Sequence, residues 1–112
     1  MDNKINSKSL MISHPNHRPI IIIPKNETTL SIKKKRFLVP MDDTIGLFQI
    51  KFRKLMKKLN ENEALFIFTE NNTLLSSGEL ISTVYEKNKN KDGMLYLYIS
   101  LENTFGSNSY ES

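Results

Sequence analysis

The 112-residue sequence contains no cysteine. This absence excludes a disulfide scaffold, a thiolate metal site and a thiol nucleophile, so any thioester chemistry needs a sulfur atom from a partner protein. We expect the only histidines, His14 and His17, in a proline-bounded loop; because no third ligand is obvious, we predict no zinc site. Gly46, Gly78 and Gly93 match neither a dinucleotide fingerprint nor a phosphate-binding loop. Because no nucleophile is paired with a base, we predict neither an enzyme nor a bound cofactor.

Long apolar segments are also absent from the sequence. The longest aliphatic run is Ile20 to Ile23, and Leu10-Met11-Ile12 is the only early apolar cluster. Neither approaches the ~20 residues of a membrane span, or the core of a signal peptide. We therefore expect a cytoplasmic protein.

The bulk composition is that of one soluble domain. A chain of 13.0 kDa with 38% hydrophobic and 25% charged residues is large enough for a single core. The net charge is +4, and basic residues cluster at 33–36 and 51–58. This charge favours acidic partners or anionic membranes, although a solvated basic face is the commoner explanation. Aromatic residues do not alternate with these cations, so no nucleic-acid partner is expected; an RNA-binding helix stays as a rival.

Four segments have the composition of strands. Ile20 to Ile23 is β-branched and bounded by prolines, which indicates a strand buried on both faces. Further strands are predicted at Ile32 to Val39, Leu65 to Phe68 and Met94 to Ile99. The last of these alternates with period two and has apolar or aromatic residues on both faces, so both faces need cover.

Two segments have the periodicity of helices. The first begins at a cap formed by Asp43 or Thr44 and carries one apolar stripe; the stripe comprises Ile45, Phe48, Phe52, Leu55 and Leu59. A shorter helix follows the capping-box spacing of Ser76 and Glu79. The element order is strand, strand, long helix, strand, short helix, strand. We predict an α+β, ubiquitin-like β-grasp, with one mixed sheet packed on the long helix.

Several motifs resemble those of one known family. They are Lys34-Lys35-Arg36-Phe37-Leu38-Val39-Pro40, Thr44-Ile45-Gly46-x-Phe48, Asp92-Gly93-x-Leu95-Tyr96 and Glu102-Asn103-Thr104-Phe105-Gly106. In this order they resemble the autophagy ubiquitin-like modifiers of the GABARAP type, from about Pro15 to Gly106. The resemblance implies a short, partly helical or frayed extension at 1–13, a ubiquitin-like domain at 14–106 and a removable tail at 107–112.

Gly106 is the candidate processing site. A frayed terminal glycine is the ordinary explanation for such a residue, but a protease with a narrow slot requires a residue without a side chain before the cut. The resemblance implies that a cysteine protease cleaves between Gly106 and Ser107. E1-like and E2-like enzymes would then transfer the new carboxylate to phosphatidylethanolamine, which would place the protein on autophagosome membranes. An unconjugated peptide-binding adaptor and a modifier attached to proteins remain alternatives.

The strand from Lys34 to Pro40 is the candidate docking edge. Its cations could protect an exposed sheet edge, or they could flank pockets that receive an extended peptide by strand addition. The resemblance implies cargo receptors carrying short aromatic-x-x-aliphatic motifs. It implies two pockets for the side chains of the motif. The pocket for the aromatic side chain comprises Pro19, Ile21, Arg36, Leu38 and Met94. The pocket for the aliphatic side chain comprises Phe37, Val39, Pro40, Phe48 and Phe52.

The sequence departs from the family pattern at four positions in or near these two pockets. Asp43 and Lys51 stand where the family usually has apolar pocket residues, Met94 replaces a common phenylalanine, and Leu55 replaces an arginine. We expect a narrower or more polar second pocket. The short N-terminus should leave apolar surface less covered on the sheet face that carries Tyr96 and Tyr98, either as a wider ligand site or as a self-association patch.

Overall fold

The structure is a computed structural model that describes residues 6–25, 34–56 and 63–103. These described residues form three helices and four strands, in an order close to the one that the periodicity predicts. In chain order they are α1 (Ser7–Ser13), β1 (His17–Pro24), β2 (Lys35–Pro40), α2 (Ile45–Leu55), β3 (Glu63–Phe68), α3 (Ile81–Asn88) and β4 (Leu95–Asn103).

The four strands form one mixed sheet in the order β2-β1-β4-β3. β1 lies antiparallel to β2 and parallel to β4, and β3 lies antiparallel to β4. The last strand thus returns beside the first, as the β-grasp prediction requires. This order leaves β2 and β3 as the two edges of the described sheet, and it aligns Arg36, Ile21 and Tyr96 in one row across three strands.

The core lies between the sheet and the helices α2 and α3. Alternate residues of β1 and β4 point into it, because side chains along a strand alternate between faces. The buried members are Ile20, Ile22, Val39, Leu65, Ile67, Leu95, Leu97, Ile99 and Leu101 from the sheet, Ile45, Phe48, Phe52, Ile81, Val84 and Tyr85 from the helices, and Leu75 from the segment between β3 and α3. The opposite face of the sheet, here called the outer face, carries Ile21 and Tyr96.

Helix α2 begins as predicted and ends earlier than predicted. Thr44 is its N-cap, and its hydroxyl oxygen accepts a hydrogen bond from the Leu47 amide at 3.1 Å. The predicted stripe is wrong at Leu55, whose side chain is 59% exposed. The helix ends there, and Met56 packs against the core in its place. Leu59 and the rest of the predicted helix end lie outside the described residues.

The predicted capping box at Ser76 is wrong as a helix start. The Glu79 carboxylate does accept hydrogen bonds from the Ser76 amide at 2.7 Å and its hydroxyl at 3.2 Å. The helix nevertheless begins at Ile81, and its N-cap, Leu80, makes no side-chain capping bond. The turn at 76–79 instead gives carbonyl oxygens to the start of α2, where the Ile45 amide donates to Glu79 at 2.8 Å.

The start of α3 is satisfied in the same way by the loop before α2. The Ile81 amide donates to the Asp43 carbonyl at 2.9 Å, and the Ser82 amide donates to the Met41 carbonyl at 3.0 Å. The two helix N-termini therefore supply each other's missing acceptors, which local capping rules do not anticipate. The prediction for β2 also needs correction, since the strand begins at Lys35; Ile32 lies outside the described residues.

Candidate functional site

A cavity of about 640 Å³ opens on the outer face of the sheet, between α1, β1, β2 and the start of β4. Three of its lining residues are basic: Lys34 directly before the edge strand β2, and Lys35 and Arg36 at its beginning. The others come from the outer face, the turn before β4 and the first residues of α1. The full lining is Asn6, Ser7, Ile21, Lys34, Lys35, Arg36, Asp92, Met94 and Tyr96.

Three of the five residues predicted for the aromatic pocket line this cavity: Ile21, Arg36 and Met94. The strand register explains why they meet, because Ile21 pairs with Arg36 and both side chains share the outer face. Pro19 and Leu38 form the next pair on that face but do not line the cavity. Pro19 is fully buried and Leu38 is half-buried. The aromatic-pocket assignment itself stays a prediction.

Sequence reasoning named Tyr96 at a wider ligand site or self-association patch, but it missed Asp92 as a cavity residue. Asp92 ends the turn before β4, and its carboxylate accepts hydrogen bonds from the Met94 amide at 2.8 Å and from the Tyr96 hydroxyl at 2.5 Å. That hydrogen bond, and to a lesser degree burial, raises the pKa of Tyr96 to about 12. Tyr96 is therefore a neutral hydrogen-bond donor at physiological pH. Its alternation with Leu95 and Leu97 was the signal that placed it on this face.

Helix α1 forms one wall of the cavity and is attached to the turn before β4. The Ser7 hydroxyl donates to the Asp92 carbonyl at 2.6 Å, and Asn6 caps the helix through the Ser9 amide at 2.8 Å. Gly93 adopts φ +81°, and a Cβ atom there would lie 2.0 Å from the Ser7 hydroxyl oxygen. Only glycine satisfies both conditions without movement of the helix. The short N-terminal segment thus covers part of the outer face.

The cavity adjoins the free edge of β2. Among the described strands, β2 pairs with β1 alone, so its other backbone edge is open to an added strand. Lys35 and Arg36 on this edge are exposed. Their charges, with that of Lys34, lie on one side of the cavity, and Asp92 lies on the other. An extended peptide with acidic residues beside an aromatic side chain fits this charge distribution.

Four of the five residues predicted for the aliphatic pocket lie on the core side of the sheet: Phe37 and Val39 of β2, and Phe48 and Phe52 of α2. Pro40, the last residue of β2, alternates with Val39 and lies on the outer face. The rings of Phe37, Phe48 and Phe52 are each 5.9 Å from the other two, centroid to centroid. Phe48, Phe52 and Val39 are only 4%, 2% and 5% exposed. They belong to the hydrophobic core, whereas Phe37 and Pro40 are half-buried. The role of these residues in ligand binding stays a prediction.

Asp43 and Lys51, two of the residues that depart from the family pattern, form an ion pair. The Lys51 ammonium lies 2.8 Å from the Asp43 carboxylate, and the two side chains are 53% and 12% exposed. Lys51 neighbours Phe48 on the surface of α2, because it is one helical turn beyond that residue. A second pocket that is more polar than the family pattern is consistent with this contact.

Neither a metal site nor a membrane-spanning helix is found among the residues that the structure describes. His14 and His17 make an edge-to-face contact at 5.9 Å, but no group of three or more histidine, cysteine or acidic side chains in this part of the chain could hold a metal ion. None of the helices in the same residues is long and apolar enough to cross a membrane.

Similarity to known proteins decides the family. A family model described as "Autophagy protein Atg8 ubiquitin like" matches residues 2–106. The chain belongs to the Atg8 family. Among its relatives, autophagy-related protein 8e of Arabidopsis thaliana is 43% identical over 97 residues, which cover 86% of this chain and 78% of the relative. Autophagy-related protein 8 of Dictyostelium discoideum is 43% identical over 91 residues, covering 80% of this chain and 73% of the relative.

Solved Atg8 structures have the same fold. The crystal structure of Trypanosoma brucei ATG8 matches with a TM-score of 0.77 and 36% identity, covering 89% of this chain and 85% of that one. Plasmodium falciparum Atg8, solved in complex with a P. falciparum Atg3 peptide, matches with a TM-score of 0.71 and 29% identity over 84% of this chain and 83% of that one. The predicted family and the ubiquitin-like α+β fold are confirmed, and this Atg8-family chain is an autophagy ubiquitin-like modifier.

Proposed function

We propose that this Atg8-family modifier is cleaved after Gly106 and joined through the new carboxylate to phosphatidylethanolamine. Gly106 itself lies outside the described residues. The family match ends at residue 106, so the segment 107–112 lies beyond it. Because the chain has no cysteine, the protease and the E1-like and E2-like enzymes supply the sulfur atoms for cleavage and thioester transfer. The modifier itself performs no catalysis in this scheme.

Lipid attachment would place the domain on autophagosome membranes. The two acyl chains of the conjugated lipid supply the hydrophobic burial that a stable membrane anchor requires. The net charge of +4 would favour approach to anionic bilayers, chiefly through the association rate.

The intact mass of the protein from its native cells tests this part of the proposal. We expect a soluble species ending at Gly106 and a membrane species heavier by the mass of one phosphatidylethanolamine. Phospholipase treatment should lower the mass of the membrane species. A Gly106→Ala variant should remain unprocessed and leave the membrane fraction. If every molecule retains Ser107 to Ser112, conjugation is wrong and an unconjugated adaptor replaces it; a species heavier by a protein would indicate a protein target instead.

We further propose that the cavity and the free edge of β2 dock short peptide motifs of cargo receptors. The observation that carries this proposal is the position of the cavity beside an edge of β2 that no other described strand pairs with. The backbone of the peptide would extend the sheet, and its aromatic side chain would enter between Ile21, Arg36 and Met94. Support comes from the Plasmodium relative, which was solved with a bound peptide.

Isotope-labelled protein titrated with a tryptophan-containing acidic peptide tests the docking site. The amide resonances of Ile21, Arg36 and Met94 should shift more than those of Lys87 on the opposite helix α3. The charge-reversing variant Arg36→Glu should weaken binding about tenfold, equivalent to about 1.4 kcal/mol. Lys87→Glu makes the same charge change away from the cavity and should have little effect. Equal losses in the two variants would show that only net charge matters and that the cavity is not the site.

A further inference from the structure

The ion pair between Lys51 and Asp43 occupies the flank of α2 that faces β2. On the other flank, the Gln49 side-chain amide donates to the Leu65 carbonyl of β3 at 3.0 Å. Lys51 follows Gln49 by two residues, a rotation of about 200° around the helix, so it lies on the opposite side. Because β2 and β3 are the two edges of the described sheet, that side is the β2 side.

The acidic partner of this pair is fixed by the backbone. The Asp43 amide donates to the Pro40 carbonyl at 3.1 Å, and its own carbonyl accepts from the Ile81 amide at 2.9 Å. The Asp43 side chain is only 12% exposed, whereas the Lys51 side chain is 53% exposed. Lysine has three N–H donors, and the contact with Asp43 uses one of them. Lys51 therefore presents donors toward solvent from a defined position.

We propose that Lys51 selects an acidic side chain, aspartate or glutamate, at the second specificity position of the docked peptide. This inference rests on the peptide docking proposed above. An aliphatic side chain at that position would remove water from the ion pair, and the apolar residues beside it, Phe48 and Phe52, are already 4% and 2% exposed. A carboxylate would instead accept a hydrogen bond from Lys51 and keep the pair solvated.

The charges along this edge favour an acid over a base. Lys35 and Arg36 on β2 and Lys51 and Lys54 on the exposed side of α2 contribute four cations. The nearby acids are Asp43 and its exposed neighbour Asp42. The edge therefore carries excess positive charge, which attracts a peptide carboxylate and disfavours a lysine or arginine.

Strand geometry sets the spacing of the two recognised side chains. Successive side chains of an extended peptide point to opposite faces, so residues that reach the outer face and the helix side are an odd number of positions apart. The cavity lies at the beginning of β2 and the ion pair just beyond its end at Pro40. Among the odd spacings we take three residues, about 10 Å, because it is the spacing of the aromatic-x-x-aliphatic motif that the family resemblance implies. The motif is an aromatic residue followed three positions later by aspartate or glutamate.

Short fluorescein-labelled peptides test this inference with the full chain. They contain one tryptophan and differ only three positions later, where they carry glutamate, glutamine or leucine. At low salt the glutamate peptide should bind about fivefold more tightly than the leucine peptide, the upper end for a partly exposed ion pair. Raising the salt concentration should reduce that ratio. Equal affinities, or tighter binding of the leucine peptide, would overturn the inference.

Two variants separate Lys51 from general charge effects. Asp43→Leu/Lys51→Leu keeps the net charge and removes both partners, so no unpaired carboxylate is left; it should reverse the order of the glutamate and leucine peptides. Lys87→Leu removes an exposed lysine from α3, away from this edge, and should preserve the ratio. An unchanged ratio in the double variant contradicts the inference even if all peptides bind. If no peptide binds the unmodified protein, the docking proposal fails as well, so the two failures are distinguishable.

Discussion

Replacing Gly93 with alanine should detach helix α1 from the sheet. The residue has φ +81°, where an alanine costs about 1–2 kcal/mol relative to glycine. Its new Cβ atom would lie 2.0 Å from the Ser7 hydroxyl oxygen and 2.8 Å from the Ser7 Cβ atom, so α1 must move. Movement breaks the hydrogen bond from Ser7 to the Asp92 carbonyl, worth about 1 kcal/mol. We expect the free energy of unfolding to fall by about 2–3 kcal/mol.

Urea denaturation followed by circular dichroism measures this loss, and Gly78→Ala is the matched control. An added Cβ at Gly78 meets nothing within 4 Å, so that variant should change stability by less than about 0.5 kcal/mol. In a Ser7→Gly background the clash disappears, so Gly93→Ala should cost about 1 kcal/mol less than in the unmodified protein. Equal losses at Gly93 and Gly78, or strictly additive effects of Ser7→Gly and Gly93→Ala, would refute this account of the contact.

Two further perturbations test the site and the fold. The folded-state pKa of Tyr96, about 12, lies above its unfolded value near 10, so the hydrogen bond to Asp92 stabilises the protein below pH ~10 and this contribution is lost as the pH rises toward 12. Urea midpoints measured across that range should decline less steeply in Tyr96→Phe; parallel curves would contradict the assignment. Thr44→Ala removes the oxygen that caps α2 and should lower the free energy of unfolding by about 1 kcal/mol in urea titrations. Thr83→Ala, at an exposed position of α3, is its control, and equal losses in the two variants would show that the cap is not responsible.

Periodicity predicted the parts of the fold that depend on burial of a repeating pattern. Ile20 and Ile22 of the β-branched run, and the stripe residues Ile45, Phe48 and Phe52, lie in the core, because a period of two or of three to four places each set on one face. The return of β4 beside β1 followed from the β-grasp arrangement. The predicted burial of Leu55 is wrong because the helix ends there, and the apolar pattern alone does not define the end of a helix to within a residue or two.

The candidate site was less predictable, because its residues come from distant parts of the chain. Ile21, Arg36 and Met94 were placed by the family resemblance, and strand register then brings Tyr96 beside them. The role of Ser7 depends on a contact 85 residues away, to the Asp92 carbonyl. No local pattern predicts such a contact, since it follows from the positive φ of Gly93 and the arrival of α1 at that turn.

The shared acceptors at the start of α2 and α3 make the two helices interdependent. The amides of Ile45 and Gly46 donate to the loop before α3, and those of Ile81 and Ser82 donate to the loop before α2. Neither first turn retains its acceptors when the other segment moves away, so the two should open as one cooperative unit. Solvent hydrogen exchange at these four amides would then report a single opening reaction, although the pairs are more than 30 residues apart in the sequence.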